Sequence, residues 1–212
     1  MEILNFINNN IFAIVTAITA IIALYQTGLQ IKINNKQHLF DRRIRNYSII
    51  LELVRLYEEN EPLLKEVHIP DEPIDVKLLF YGLINNSYLE GQHSVIEHPL
   101  EQPYHKDFLT KLEEIMVVAN EINFIYSDFD EIRQFVINYK EVLHSIYKYQ
   151  IMQNKMTKQA QQLKKTYIQM QNIIREPAHR EKLLTSYENL INSYEIMKKR
   201  KSIKRMKKEI KL

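Results

Sequence analysis

Residues 3–31 read ILNFINNNIFAIVTAITAIIALYQTGLQI, and none of these side chains is charged. A helix needs about 20 consecutive apolar residues to cross the hydrocarbon core of a bilayer. Thr16 and Thr19 are tolerated at its centre because their hydroxyls can bond to carbonyls of the preceding turn. We therefore predict a transmembrane anchor in residues 1–31. Its membrane-spanning side chains include Ile11, Phe12, Ile14, Val15, Ile18, Ile21, Ile22 and Leu24.

A cleaved signal peptide and a buried core helix are the alternatives to an anchor for this segment. A signal peptide begins with basic residues and ends at small ones. Here the first basic residue is Lys32, and the segment ends in Tyr25-Gln-Thr-Gly-Leu-Gln-Ile31. A buried helix would need apolar neighbours on every side, which the remaining sequence supplies poorly. A retained anchor fits the sequence better than either.

The basic residues near the anchor lie on one side of it. None precedes the span, whereas five follow within about 20 residues: Lys32, Lys36, Arg42, Arg43 and Arg45. Because an excess of Lys and Arg is retained in the cytoplasm, we expect a single-pass protein of the cell membrane. Its N-terminus would lie outside and its C-terminal domain in the cytoplasm. The absence of cysteine agrees with a reducing compartment.

The remainder is predicted to be all-α, because the 212 residues contain only three glycines and six prolines. Residues 32–60 continue the anchor as a juxtamembrane stalk helix, which ends at Glu61-Pro62. Residues 61–127 form short helices around an irregular loop, 90–105. Residues 128–212 form a long antiparallel αα-hairpin that ends in a basic tail. The whole would be an elongated cytoplasmic bundle.

Apolar residues at steps of three and four mark each helix. The stalk stripe has coiled-coil spacing, and the hairpin turns at Glu176-Pro177-Ala178. Ser127-Asp128 is a candidate N-cap, with Asp130 and Glu131 in the first turn. The stripes are Phe40, Ile44, Tyr47, Leu51 and Val54; Val76, Leu79, Phe80 and Leu83; Phe108, Leu112, Ile115, Ala119, Ile122 and Tyr126; Ile132, Phe135, Tyr139, Val142 and Ile146; Met156, Ala160, Leu163, Tyr167, Met170 and Ile174; and Leu183, Tyr187, Leu190, Tyr194 and Met197.

One segment carries a family resemblance. The run Asn35-Lys-Gln-His-Leu-Phe-Asp-Arg-Arg-Ile-Arg-Asn-Tyr47 resembles the juxtamembrane segment of uncharacterised single-pass membrane proteins of low-GC Gram-positive bacteria. The resemblance extends through Leu78-Leu-Phe-Tyr81 and His98-Pro-Leu-Glu-Gln-Pro103. Some of these proteins are encoded among mobile-element and phage-defence genes. The resemblance implies a membrane setting but no chemistry and no functional residues.

Few residues are arranged for catalysis. The loop with His93, His98 and His105, together with Glu97, Glu101 and Asp107, has side chains that can ligate divalent metals. Their spacing matches no metal motif, so we interpret it as a surface loop. Cysteine and Gly-rich phosphate loops are also missing from the sequence. We expect no metal, no cofactor and no enzymatic activity.

The C-terminal segment is strongly basic, with a net charge of +8 over residues 198–212. Ile203, Met206 and Ile210 fall on one helical face, which is typical of a helix at an anionic membrane surface. Nucleic acid is a second candidate partner, and a solvated helix end is the simplest interpretation. The candidate binding residues are Lys198, Lys199, Arg200, Lys201, Lys204, Arg205, Lys207 and Lys208.

Two classes of function remain open from the sequence. The first is a membrane-anchored helical interaction or oligomerisation module without catalytic activity, acting as a homo-oligomer or with a protein partner. The second is a membrane-acting effector of a phage-defence or toxin-like system that assembles through its helical domain. Because one helix can form a pore only by oligomerising, the oligomeric state separates them.

Overall fold

A computed structural model describes residues 2–66, 75–126, 128–162 and 177–210, and every structural statement below concerns these residues. Within them all regular elements are helices: α1 (Glu2–Glu66), α2 (Val76–Ile84), a 3₁₀ turn (Glu90–Gln92), α3 (His93–Glu97), α4 (Tyr104–Ile125), α5 (Asp130–Gln162), α6 (Pro177–Lys199) and α7 (Ser202–Ile210). The predicted all-α class is therefore confirmed. The chain divides into two compact units, Met1–Arg42 and Arg43–Leu212.

The first unit consists of the N-terminal part of α1. Of the described helices, α1 alone is long and apolar enough to cross a membrane by length and composition, and its most apolar window is not buried. The eight predicted membrane-spanning side chains are all exposed. Helix α1 thus carries a segment suited to an apolar solvent on every face.

The second unit is a helical bundle around α5. The predicted stripe on α5 is fully buried from Ile132 to Ile146, and so are the predicted stripes of α2, α4 and α6. Two contacts show that helices α5 and α6 run antiparallel. Asn138 Nδ2 donates to Asn189 O (2.9 Å). Glu131, which precedes Asn138 in α5, forms an ion pair with Arg200, which follows α6. The connection between them lies outside the described residues, as do Leu163, Tyr167, Met170 and Ile174.

Helix α1 enters the bundle core on a face different from the predicted one. Of the stripe from Ile44 to Val54, only Val54 is buried, and Ile44 is 41% exposed. Apolar residues occupy two adjacent faces of α1, and periodicity alone does not say which face packs inward. The observed core face consists of Asn46, Ile49, Ile50, Leu53, Val54, Leu56, Tyr57 and Leu64.

The predicted end of this helix was also wrong, since α1 continues past Pro62 to Glu66. A proline removes one backbone hydrogen bond and strains the preceding turn. Here the last turn is held by Leu64, whose side chain is completely buried. Tertiary packing therefore overrides the local breaker. The residues that follow, 67–74, lie outside the described residues.

The stretch predicted as an irregular loop, 90–105, is more ordered than expected. It contains the 3₁₀ turn and helix α3, and α4 begins at Tyr104. Two apolar residues of α3, Val95 and Ile96, are buried in the core. A single helical turn is too short to produce a visible periodicity, so the sequence pattern did not indicate it.

Two residues with left-handed backbone conformation lie just before helices α5 and α7. Asp128 has φ 59° ahead of α5, and Lys201 has φ 52° between α6 and α7. The Lys201 amide donates to Lys198 O (3.0 Å), as in the left-handed caps that end many helices. Asp130 and Glu131 occupy the first turn of α5 as predicted. Of the predicted cap Ser127-Asp128, Ser127 lies outside the described residues, and Asp128 lies two residues before the first residue of α5.

Candidate functional site

The basic residues predicted to bind an anionic surface lie at the end of α6, in the α6–α7 link and on α7. The structure divides them into two sets. Arg200 and Arg205 make ion pairs within the bundle. The lysines are exposed: they are Lys198, Lys199, Lys201, Lys204, Lys207 and Lys208.

The two arginines converge on one buried carboxylate, that of Glu131. Its side chain is 2% exposed, and it accepts from Arg200 Nη1 at 3.3 Å and Arg205 Nη1 at 3.2 Å. Ser202 Oγ donates to the same carboxylate at 2.5 Å. Burial alone would raise the pKa of Glu131. The Ser202 hydrogen bond, a backbone hydrogen bond and the two guanidinium groups outweigh burial and lower it.

Arg205 also holds the beginning of α5. Its Nη2 lies 3.2 Å from Asp128 O and 3.6 Å from Asp128 Oδ2, and its guanidinium carbon is 5.0 Å from the centre of the Phe129 ring. This side chain therefore connects α7 to the α4–α5 link. It is a structural contact rather than part of a free basic surface.

The apolar face of α7 is turned into the bundle. Met206 is completely buried, and Ile203 and Ile210 are half-buried against the core. One of the three interpretations of the tail from the sequence placed these three side chains at a membrane surface. In the structure they stabilise the docking of α7, so the exposed part of the helix is its lysine-bearing side.

Four of the lysines border a groove of about 430 Å³ in the second unit. The groove is lined by Tyr47, Val54 and Glu58 of α1, by Tyr194, Met197 and Lys198 of α6, and by Lys201, Ser202, Ile203, Lys204 and Lys207. Lys199 and Lys208 do not line it. The ammonium group of Lys198 lies 5.5 Å from the centre of the Tyr194 ring.

Arg43, one of the five basic residues that follow the apolar segment, joins three elements. Its Nε and Nη2 donate to Ile125 O, the last carbonyl of α4, at 3.1 and 2.9 Å. Its Nη1 donates to Glu209 O on α7 at 3.3 Å. The Tyr126 hydroxyl donates to Arg43 O at 2.5 Å. A cation at a helix C-terminus is favourable for both charge and hydrogen bonding.

The three histidines of the stretch predicted as a loop, 90–105, each contact a different partner. His93 bonds to Glu90 O, His98 lies 3.5 Å from Glu101, and His105 shares a 2.6 Å hydrogen bond with the Tyr147 hydroxyl. The described residues contain no group of three His, Asp, Glu or Cys side chains arranged to hold a metal ion.

A second polar cluster lies between α2 and α3. Glu97 accepts from Lys77 Nζ at 2.7 Å and from the Tyr81 hydroxyl. The hydrogen bond to Glu97 raises the pKa of Tyr81 to about 12. The Lys77 and Tyr81 hydrogen bonds lower the pKa of Glu97. These shifts follow from a surface contact that joins two short helices.

Three threonines within the apolar segment donate hydrogen bonds to carbonyls of α1 itself. Thr16 Oγ1 donates to Phe12 O, Thr19 Oγ1 to Val15 O and Thr27 Oγ1 to Ala23 O, at 2.7 to 2.8 Å. These bonds to the preceding turn lower the cost of placing a hydroxyl in hydrocarbon.

Comparison with known proteins adds no assignment: no family model, no curated protein and no solved structure matches this chain. The functional argument therefore depends on the residues and their geometry.

Proposed function

We propose that this protein is a single-pass membrane protein whose helical bundle serves as a non-catalytic interaction module in the cytoplasm. The observation that carries the proposal is the dual composition of α1. Its apolar segment is exposed throughout, which is unfavourable in water, and a later segment of the same helix supplies Ile50, Leu53 and Tyr57 to the bundle core. Both properties are explained if the exposed segment lies in a bilayer.

The distribution of basic residues supports the orientation. The span is followed by Lys32 and Lys36 and then by three arginines, whereas the residues before it contain neither Lys nor Arg. Under the positive-inside rule the bundle is cytoplasmic and the opposite end of the span is outside.

The causes of the lowered carboxylate pKa values agree with a structural role for these three carboxylates. Among the described carboxylates the pKa is lowered at Glu97, Glu131 and Glu141. Hydrogen bonds within the bundle account for each lowering: from Lys77 at Glu97, from Ser202 at Glu131 and from Lys140 at Glu141. Burial opposes the lowering at Glu131 and Glu141. These partners connect helices or neighbouring surface residues, as in structural ion-pair networks.

An interaction role is supported by the outer face of α4. Val117 and Phe124 lie seven residues apart on one side of the helix and are 54% and 89% exposed. Large apolar side chains in this position favour contact with a second protein or a second copy.

The alternative is a membrane-acting effector that assembles through its bundle, as the family resemblance suggests. The hydroxyl donors of Thr16 and Thr19 are bonded within α1, so they do not favour that alternative. Oligomeric state in mild detergent tests it, because a pore formed by single spans requires several copies.

Membrane fractionation with alkaline extraction tests the anchor. The unaltered chain should remain in the pellet. The pair Ile18→Arg and Ile21→Arg should move it to the supernatant, since each arginine costs roughly 3 kcal/mol at the centre of a span. Ile33→Arg with Asn34→Arg, beyond Lys32, is the matched control and should leave it in the pellet. Equal extraction of both variants would contradict the proposal.

A further inference from the structure

We propose that the groove between α1, α6 and α7 binds one anionic phospholipid, with its phosphate at the lysines and part of an acyl chain on the floor. This deepens the proposed function and rests on it, since a membrane protein has such lipids at hand. All residues that line the groove belong to the second unit.

The floor of the groove is apolar. Tyr47 and Ile203 are half-buried and form its accessible walls, while Val54, Tyr194 and Met197 lie beneath them at 2 to 5% exposure. Because lysine stems are themselves apolar chains, the lysines around this floor extend it while keeping their ammonium groups in water. A hydrocarbon chain is the occupant that gains most from such a surface.

The rim carries the charge that an anionic headgroup requires. Lys198, Lys201, Lys204 and Lys207, which lie three residues apart in the sequence, all line the groove. Glu58 is the single acidic lining residue, and its carboxylate already accepts the Tyr194 hydroxyl at 2.6 Å. The lining therefore has an excess of three positive charges next to apolar side chains.

The size of the groove favours a small ligand. A volume of about 430 Å³ falls within the range of small-molecule sites, roughly 300 to 1,000 Å³. A stable protein partner would need an interface of about 800 Å² on each side. Nucleic acid is bound through phosphate contacts along an extended charged surface, and such contacts do not involve the apolar floor. An amphiphile uses both the floor and the rim.

The contacts between α7 and α5 fix the backbone position of lysines that line the groove. Glu131 binds Ser202, Arg200 and Arg205, and this fixes the first turn of α7 on α5. Buried Met206 fixes the next turn. The backbone of Lys201 and Lys204, which lie between these anchors, is therefore held in place before any ligand arrives, which lowers the entropic cost of binding.

The test measures lipid binding to the full chain in a neutral detergent by native mass spectrometry. The probes are phosphatidylglycerol, phosphatidylcholine with the same acyl chains, and soluble glycerol phosphate. We expect one phosphatidylglycerol to bind at least tenfold more tightly than phosphatidylcholine, and no measurable binding of glycerol phosphate. Tight binding of glycerol phosphate alone would assign the lysines to a free phosphate and overturn the proposal.

Two matched pairs of variants locate the lipid. Lys204→Gln with Lys207→Gln removes two lining lysines and should weaken phosphatidylglycerol binding about thirtyfold. Lys199→Gln with Lys208→Gln removes the same charge from the same segment outside the groove and should change it less than twofold. Ile203→Ser should weaken binding, whereas Ile196→Ser, an exposed residue outside the groove, should not.

Equal losses of binding in the two lysine pairs would show a diffuse charge effect and would overturn the proposal. Displacement of the lipid by short single-stranded DNA would also overturn it. Unchanged binding in all variants would also overturn it. Alkaline extraction of the same variants distinguishes failure of the lipid proposal from failure of the proposed membrane anchor. If the anchor is misassigned, the unaltered chain is released from the membrane pellet, whatever occupies the groove.

Discussion

At the residue scale, the placement of α7 depends on the carboxylate of Glu131. This side chain is buried and accepts hydrogen bonds from Ser202, Arg200 and Arg205. We expect Glu131→Gln to lower the free energy of unfolding by about 1–3 kcal/mol, because it removes a charge-assisted network and leaves one polar group mispaired. Asp130→Asn is the control: its carboxylate is 76% exposed and 3.5 Å from Arg133, so the change should cost less than about 0.5 kcal/mol. Thermal unfolding followed by circular dichroism in neutral detergent measures both.

The same carboxylate predicts part of the acid response. Its pKa is lower in the folded protein than in the unfolded chain, so the native state binds fewer protons. The stabilisation is complete above the unfolded pKa of about 4.3 and is lost as pH falls towards the folded value. The unaltered protein should therefore lose more stability than Glu131→Gln between about pH 5 and about pH 3. Parallel pH profiles of unfolding temperature for the two proteins would contradict this assignment.

Two buried tyrosines should respond in opposite ways to loss of the hydroxyl. The Tyr139 hydroxyl donates to Leu83 O at 2.6 Å, whereas that of Tyr57 has no hydrogen-bond partner among the described residues. Tyr139→Phe should cost about 1–2 kcal/mol, because it leaves a buried carbonyl unpaired. Tyr57→Phe should be neutral or stabilising by up to about 1 kcal/mol. Urea unfolding of both variants tests the contrast, and an equal loss in both would refute it.

At the element scale, the close approach of α2 to α1 depends on Gly82. The Asn60 amide donates to Gly82 O (3.0 Å) and to Leu56 O (2.8 Å), so its side chain is held against the glycine. A Cβ at position 82 would lie 2.9 Å from Asn60 Cγ. Gly82→Ala should therefore destabilise the bundle by about 1–3 kcal/mol. Gly91→Ala, where no atom lies within 4 Å of the added carbon, is the control and should be neutral. A neutral Gly82→Ala in chemical unfolding would show that α2 can move away from α1.

The sequence predicted those elements whose apolar residues form a single stripe. The stripes that include Phe135 on α5 and Leu190 on α6 are buried as expected, because one apolar face can pack in only one direction. The buried face of α1 was misassigned because this helix carries two adjacent apolar faces. Helix α3 was missed because a single turn has no periodicity.

The site was predicted only in part, for a different reason. The basic composition of the tail is visible in the sequence, but the division between paired arginines and exposed lysines depends on Glu131, which lies 69 to 74 residues away along the chain. Arg43 and Ile125 are 82 residues apart. Nothing in a single sequence indicates such pairings, since each residue alone resembles an ordinary surface charge.

At the scale of the whole molecule, an uncharged apolar segment is joined to a bundle that closes its own core. On α1 the face that packs into the bundle is the one carrying Tyr57, whose ring centre lies 6.0 Å from that of Phe135 and 4.3 Å from that of Tyr194. The proposal of a membrane as the principal partner rests on the apolar segment, the basic residues after it and the lysine-bearing α7.

Labelling of single cysteines in intact cells tests the proposed topology most directly, because the chain contains no cysteine of its own. Asn5→Cys lies before Ile11, the first of the eight predicted membrane-spanning side chains, and Lys106→Cys lies at an exposed position on α4. A membrane-impermeant maleimide should label position 5 in intact cells and position 106 only after the cells are opened. Labelling of position 106 in intact cells, or protection of position 5 until the cells are opened, would contradict an outward N-terminus with a cytoplasmic bundle.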